Sequence, residues 1–101
     1  MPFKSVDVRV NTRQDTTMTE VVLTPSAAAE LDDLPLTIHA RLLEILERLR
    51  RWPNVSGAKP LRGRLAGHWR IRTGDYRVQF RVDGERVVVE RIGHRDGFYE
   101  D

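Results

Sequence analysis

Between Lys59 and Arg95 the chain carries ten Lys or Arg residues against four acids, Asp75, Asp83, Glu85 and Glu90. That segment is therefore +6 in a protein whose total charge is +2, so the remaining residues sum to −4. Fifteen of the seventeen basic residues are arginine, and the flat guanidinium group meets phosphate oxygens as a two-pronged donor, which an ammonium group cannot do. A cationic stretch inside a nearly neutral chain is the footprint of a polyanion-binding face, or else of a solvated sheet surface.

Alternation along the strands sorts these charges. In a strand, successive side chains point to opposite faces. Trp69 and Ile71 then point one way and His68, Arg70 and Arg72 the other; Tyr76, Val78, Phe80 and Val82 separate likewise from Arg77, Gln79 and Arg81. If both apolar sets cover the same helices, Arg70, Arg72, Arg77 and Arg81 share the opposite surface. Like charges on one sheet face cost roughly a few tenths of a kcal/mol per exposed pair, so either an anionic ligand is expected there or Asp75, Glu85 and Glu90 neutralise the set locally. Lys59, Arg62 and Arg64 lie in the loop leading into the first of these strands, within reach of a phosphate backbone. Phe98 and Tyr99 follow the last strand; one is expected to pack back on the core while the other stacks on a base or meets a phosphate.

Other chemistries are excluded more simply. There is no cysteine, hence no disulfide, thiolate zinc site or cysteine nucleophile. His39, His68 and His94 are scattered and form no short ligand pair, so neither a metal nor a cofactor is expected. Apolar runs such as Val87–Val89 are far too short to cross a bilayer, and Met1 to Val10 is interrupted by Lys4, Asp7 and Arg9, unlike a secretion signal. No membrane association and a cytoplasmic location follow as expectations.

The elements that must position these residues can be read from the same rows. A length of 101 residues closes one hydrophobic core. Residues 1–19 read as a tail or weak extra strand, with Val6, Val8 and Val10 alternating before a polar stretch; Met18, just before the first convincing strand, is a candidate alternative start. The domain proper spans 20–101. Glu20 to Leu23 is a strand, and Thr24-Pro25 is a helix start, predicting a helix over about 25–34. A second helix is expected from Asp33 and Pro35 to about Trp52, with Ile38, Leu42, Ile45, Leu46 and Leu49 on one face. Asp32 and Asp33 at its start, arginines at its end, and the pairs Glu44–Arg48 and Glu47–Arg51 suit a solvated helix. Three strands follow in a meander, over 68–73, 75–83 and 86 to about 92, with a type I′ turn expected at Asp83-Gly84. The expected fold is α+β: an antiparallel sheet in the order β-α-α-β-β-β, with two N-terminal helices on one face.

The ordered set Leu61-Arg62-Gly63, Trp69-Arg70-Ile71-Arg72, Gly74-Asp75-Tyr76-Arg77-Val78, Asp83-Gly84, Val87-Val88-Val89 and Gly93-His94-Arg95 with Tyr99 resembles the RelE branch of the RelE/ParE toxin superfamily over residues 20–101. The resemblance implies the toxin of a type II toxin–antitoxin pair, a metal-independent endoribonuclease that cuts messenger RNA in the ribosomal A site by attack of a ribose 2′-OH on the adjacent phosphate. It implies a catalytic set of Arg70, Arg72, Arg77, Arg95 and Tyr99, with Lys59 as a substrate contact; Arg62, Arg64, His68 and Arg81, read from charge and alternation, are the further candidate RNA contacts. It also implies a cognate antitoxin, in hetero-oligomeric complex, besides the ribosome and its message. Well-known members carry lysines at Arg70 and Arg72. Arginine does not give up its proton, so His94, or else His68, becomes the candidate general base. Two other functions are compatible with the fold: a gyrase-inhibiting toxin of the ParE kind, and a catalytically silent RNA-binding relative.

Overall fold

A computed structural model describes residues 4–5, as backbone alone, and residues 19–97. In chain order the elements are β1 (Lys4–Ser5), β2 (Glu20–Leu23), α1 (Pro25–Asp32), α2 (Leu36–Leu49), β3 (Lys59–Pro60), a 3-10 turn (Gly63–Leu65), β4 (His68–Thr73), β5 (Tyr76–Asp83), β6 (Arg86–His94) and a closing 3-10 turn (Arg95–Gly97). Of the N-terminal tail, β1 is seen to pair antiparallel with β2; the rest of the tail, and Phe98 and Tyr99 at the other end, lie outside the described residues.

Thr24 starts α1 as expected: its backbone is extended, and its Oγ1 accepts the Ala27 N–H at 3.1 Å, satisfying one of the donors that a helix leaves open at its first turn. α1 stops at Asp32, and Pro35 stands immediately before α2. α2 buries Leu42, Ile45, Leu46 and Leu49, the stripe that the 3.6-residue period selects. Its charges pair differently from the expected i,i+4 pattern. Glu47 lies 3.9 Å from Arg50, and Arg48 Nη2 donates to the Ser56 carbonyl at 2.7 Å, tying the helix to the loop beyond it.

The strands form one six-stranded sheet in the order β1-β2-β6-β5-β4-β3. From β3 to β6 every pairing is antiparallel, but β2 joins β6 in parallel, from Glu20 opposite Arg86 to Leu23 opposite Val89. The sheet is therefore mixed. After β2 the two helices cross its face, and the meander returns its last strand beside β2 running the same way. Val87, Val88 and Val89 are all buried, and β6 is an inner strand, flanked by β2 and β5. Both hairpins turn on two residues with a positive φ at the first alone, Gly74 at 59° and Gly84 at 65°. That is the II′ pattern, rather than the I′ expected at Asp83-Gly84.

Both helices lie on one face of the sheet, α1 against β2 and β6, α2 against β4. Between the layers sit Val21, Leu23, Ala27, Leu31, Leu42, Leu46, Leu49, Ile71, Val78, Phe80, Val87, Val89 and Ile92. Trp52 meets Trp69 and Phe80 edge-on, at centroid distances of 4.9 and 5.3 Å, and closes the core at the end of α2. The other face of β3–β6 is left to the polar set.

Candidate functional site

The register lays the polar side chains out in cross-strand rows. His68 stands opposite Arg81; Lys59 opposite Arg70, Arg70 opposite Gln79 and Gln79 opposite Arg91; Arg72 opposite Arg77, and Arg77 opposite Gly93. Directly opposed residues are about 5 Å apart at Cα, so Arg72 and Arg77 are immediate neighbours with like charge. The shared face expected from alternation for Arg70, Arg72, Arg77 and Arg81 is thus the one observed.

That face has two unlike ends. At the start of β4, an irregularity in the β5–β6 register falls at Gln79/Phe80: Phe80 pairs with Val89 but Gln79 pairs with Arg91. Glu90 is the extra residue. A bulge puts two consecutive residues opposite one, so Glu90 and Arg91 both face away from the helices while Val89 and Ile92 stay in the core. Glu90 then gathers three partners: His68 Nδ1 at 2.6 Å and Gln79 Nε2 at 3.2 Å on Oε1, and Arg81 Nε at 3.2 Å on Oε2. Arg81 Nη1 is also 3.7 Å from Asp83. His68 and Arg81 are therefore held in an acid-centred clamp, apart from the remaining cations.

The other end, at the Gly74 turn, gathers arginines in place of a single central acid. Burial lowers the Arg77 pKa first, and the charges of Arg70, Arg72 and Arg95 lower it further. Four guanidinium groups are thus close enough to act on one another, with Arg77 at their centre and half-buried. Among the described residues no acid forms an ion pair with Arg72. Arg95 is fastened to the turn: its N–H donates to the Asp75 carbonyl at 2.7 Å, and its Nε lies 3.9 Å from both Asp75 Oδ1 and Asp96 Oδ1. Arg41 of α2 reaches the same turn, its Nη1 3.8 Å from where a side chain on Gly74 would begin. Such an array of fixed, partly desolvated donors can bind a phosphate and stabilise added negative charge on it.

The predicted residues therefore separate. Arg70, Arg72, Arg77 and Arg95 come together; Lys59, exposed on β3, extends their surface beside Arg70. Arg62 and Arg64 sit at the 3-10 turn before β4, at the clamped end. His94 is displaced from the place expected of a general base. It stands opposite Tyr76, with the two rings edge-on at 5.3 Å, and its Nδ1 accepts the Asp96 N–H at 3.2 Å. Residues 92 and 94 share one face of β6, so this ring lies on the side away from Gly93 and Arg77. Among the described residues no three His, Asp or Glu are grouped to hold a metal ion, and no helix is long and apolar enough to cross a membrane. Two participants, Arg91 and Arg41, escaped the reading of the sequence, which gives Glu90 only as one of three diffuse neutralisers. The signal for Glu90 and Arg91 was present, as two adjacent charged residues between Val89 and Ile92 in an otherwise apolar strand.

Comparison with known proteins agrees with this geometry. A family model described as the ParE toxin of type II toxin–antitoxin systems matches residues 21–97. The toxin RelG of Mycobacterium tuberculosis is 40% identical over 82 residues, covering 78% of this chain and 93% of its own length. The toxin RelE of the same organism is 38% identical over 82 residues, covering 78% of this chain and 84% of its own. Among solved structures, the RelBE toxin–antitoxin complex from M. tuberculosis superposes with a TM-score of 0.69 at 37% identity, over 77% of this chain and 99% of that one. The ParDE system from Pseudomonas aeruginosa, at 20% identity and a TM-score of 0.62 over 78% of this chain and 98% of that one, shares the fold.

Proposed function

The chain belongs to the RelE/ParE superfamily of type II toxins, in its RelE-like branch, and on that premise we propose that it is a metal-independent endoribonuclease cutting messenger RNA in the ribosomal A site. The observation that carries this reading is that Arg72 stands directly opposite Arg77, with Arg70 on the same face and Arg95 fastened to the adjoining turn. In the proposed reaction the ribose 2′-oxygen attacks the adjacent phosphorus, a 2′,3′-cyclic phosphate forms, and the 5′-oxygen leaves and takes up a proton. Charge builds on the non-bridging oxygens of the phosphorane. Arg77 and Arg95 would hold those oxygens, with Arg70 and Arg72 beside them. Preorganised donors of this sort are worth about two to three orders of magnitude each in rate. Tyr99 would stack on or orient the nucleotide, and Lys59 would hold a neighbouring phosphate.

No described side chain on this face is placed as a general base. Guanidinium keeps its proton, His68 is engaged by Glu90, and His94 faces the other side of the strand. The chemistry then rests on positioning and charge, with the 2′-OH proton passing to water. A cognate antitoxin is proposed as the partner, since the solved relatives of this branch are RelBE and RelB–RelE complexes; its acidic segments would cover the arginines in a cytoplasmic hetero-oligomer. The test is to express the chain and map messenger 5′ ends. New ends within translated codons, absent with Arg77→Ala, are expected. The name of the matching family model keeps a gyrase-inhibiting toxin as the second reading, and altered plasmid supercoiling without new ends would favour it.

A further inference from the structure

β2 ends at Leu23, opposite Val89, but β6 continues to His94. Past that point, among the described residues, the outer edge of β6 has no strand beside it, and its backbone groups take partners from elsewhere. The helix layer supplies them. The Thr24 N–H donates to the Val89 carbonyl at 3.0 Å, and Thr24 Oγ1 donates to the Glu90 carbonyl at 3.3 Å. One helical step further on, Glu30 Oε1 accepts the Ile92 N–H at 2.7 Å. This is a carboxylate reaching a backbone amide 62 residues away in sequence, and the residue that carries the amide is itself buried.

Ile92 lies between the residues that matter. Arg91 precedes it on the open face, and Gly93 follows opposite Arg77, with Arg95 two residues beyond. The bulge at Glu90 leaves this stretch with an altered register to β5, and bulged strands need to be pinned if their side chains are to stay aimed. We propose that Glu30, from α1 on the helix side of the sheet, is a positioning residue for the arginine site, fixing the bulged end of β6 so that Arg91 and Arg95 stand beside Arg77. This rests on the nuclease reading for its functional consequence, though not for its structural one.

The sign of the effect separates positioning from charge. Glu30→Ala removes an acid from a basic protein, so electrostatics alone would tighten RNA binding and speed association. A positioning role predicts instead that cleavage of bound RNA falls by roughly ten- to a hundredfold, the scale of a misplacement within about an ångström, with affinity equal to or tighter than wild type. Glu30→Gln, which keeps an acceptor oxygen at the same reach, is expected to restore cleavage; if Glu30→Ala does not fold, Glu30→Asp, with its carboxylate withdrawn by one methylene, is expected to show the same split. Amide hydrogen exchange and arginine Nε resonances of the RNA-free protein supply the second readout. Loss of Ile92 protection with shifts at Arg91 and Arg95 is expected in the alanine variant, and not in the glutamine one. Wild-type cleavage by the alanine or aspartate variant, or unchanged Ile92 protection, would overturn the proposal. A wild-type protein that cuts no message on translating ribosomes, where all these cleavage rates are to be measured, would instead sink the nuclease reading, while the exchange measurement would still decide on Glu30.

Discussion

The two ends of the open sheet face are built from the same strands and the same kind of side chain, yet they are in opposite electrostatic states. At the start of β4, one acid at a bulge collects His68, Gln79 and Arg81. Toward the Gly74 turn, Arg70, Arg72, Arg77 and Arg95 gather, and burial first, then the charges of the other three, lower the pKa of Arg77. The clamped end is what a sheet does with cations when stability alone decides. The Gly74 end instead gathers four guanidinium groups, a set of donors suited to an anion.

Breaking each end should therefore have opposite consequences. The largest effect is expected from Arg77→Ala, which should cut RNA cleavage by about 10²- to 10³-fold and leave the fold intact, with an unchanged or higher melting temperature; a calorimetric loss of stability would contradict the picture of a strained cation. Glu90→Ala should do the reverse. It strips the acceptor from three partly buried donors and is expected to cost about 1–3 kcal/mol in denaturant unfolding, with cleavage by the folded protein kept within a few-fold. Salt sharpens the contrast further. Arg77 has a folded-state pKa below its unfolded value, and because its charged form is the cation, that difference is an energetic cost, fully present at every pH below the folded value and relieved only as the pH rises through it. Burial is the larger part of that cost and salt leaves it in place; salt screens only the share due to the neighbouring arginines, so it should raise the melting temperature by no more than about a degree or two, and less so in Arg72→Gln. The smallest effect is expected from Lys59→Ala at the exposed margin. The salt dependence of RNA affinity should weaken by no more than about one phosphate's worth, with cleavage of bound RNA unchanged.

Much of this was legible in the sequence because the period of two is strict where one face is buried. Trp69, Ile71, Val78 and Phe80 fix which way β4 and β5 face, and that alone places Arg70, Arg72 and Arg77 together. Thr24-Pro25 and the Leu42 to Leu49 stripe likewise fix the helix layer. What the pattern hid depends on a single inserted residue. Glu90, next to core-facing Val89, lies on the cationic face, where the bulge sets Arg91 beside it; an acid that looked like one of several diffuse neutralisers becomes the centre of a clamp, and His68 and Arg81 are held there with it. His94 was misplaced for a related reason: beyond the bulge the strand's parity is shifted, and Ile92 and His94 fall on the Tyr76 side. The parallel pairing of β2 with β6 was not legible at all, since it depends on where the meander ends in space rather than on any local preference. Arg41 and Glu30 carry no signal of their own in the sequence, and only the packing of the two layers brings them to the turn and to the edge of β6.

The central claim is that RNA phosphate is taken by the Arg77 end and not by the clamp. The most direct measurement is a titration of arginine Nε resonances with a short RNA whose attacking 2′-OH is replaced by hydrogen, so that it binds without being cut. Saturable shifts at Arg70, Arg72, Arg77 and Arg95, with Arg81 unmoved and still paired to Glu90, are the predicted result. Shifts led by Arg81, with the Arg77 group silent, would contradict it.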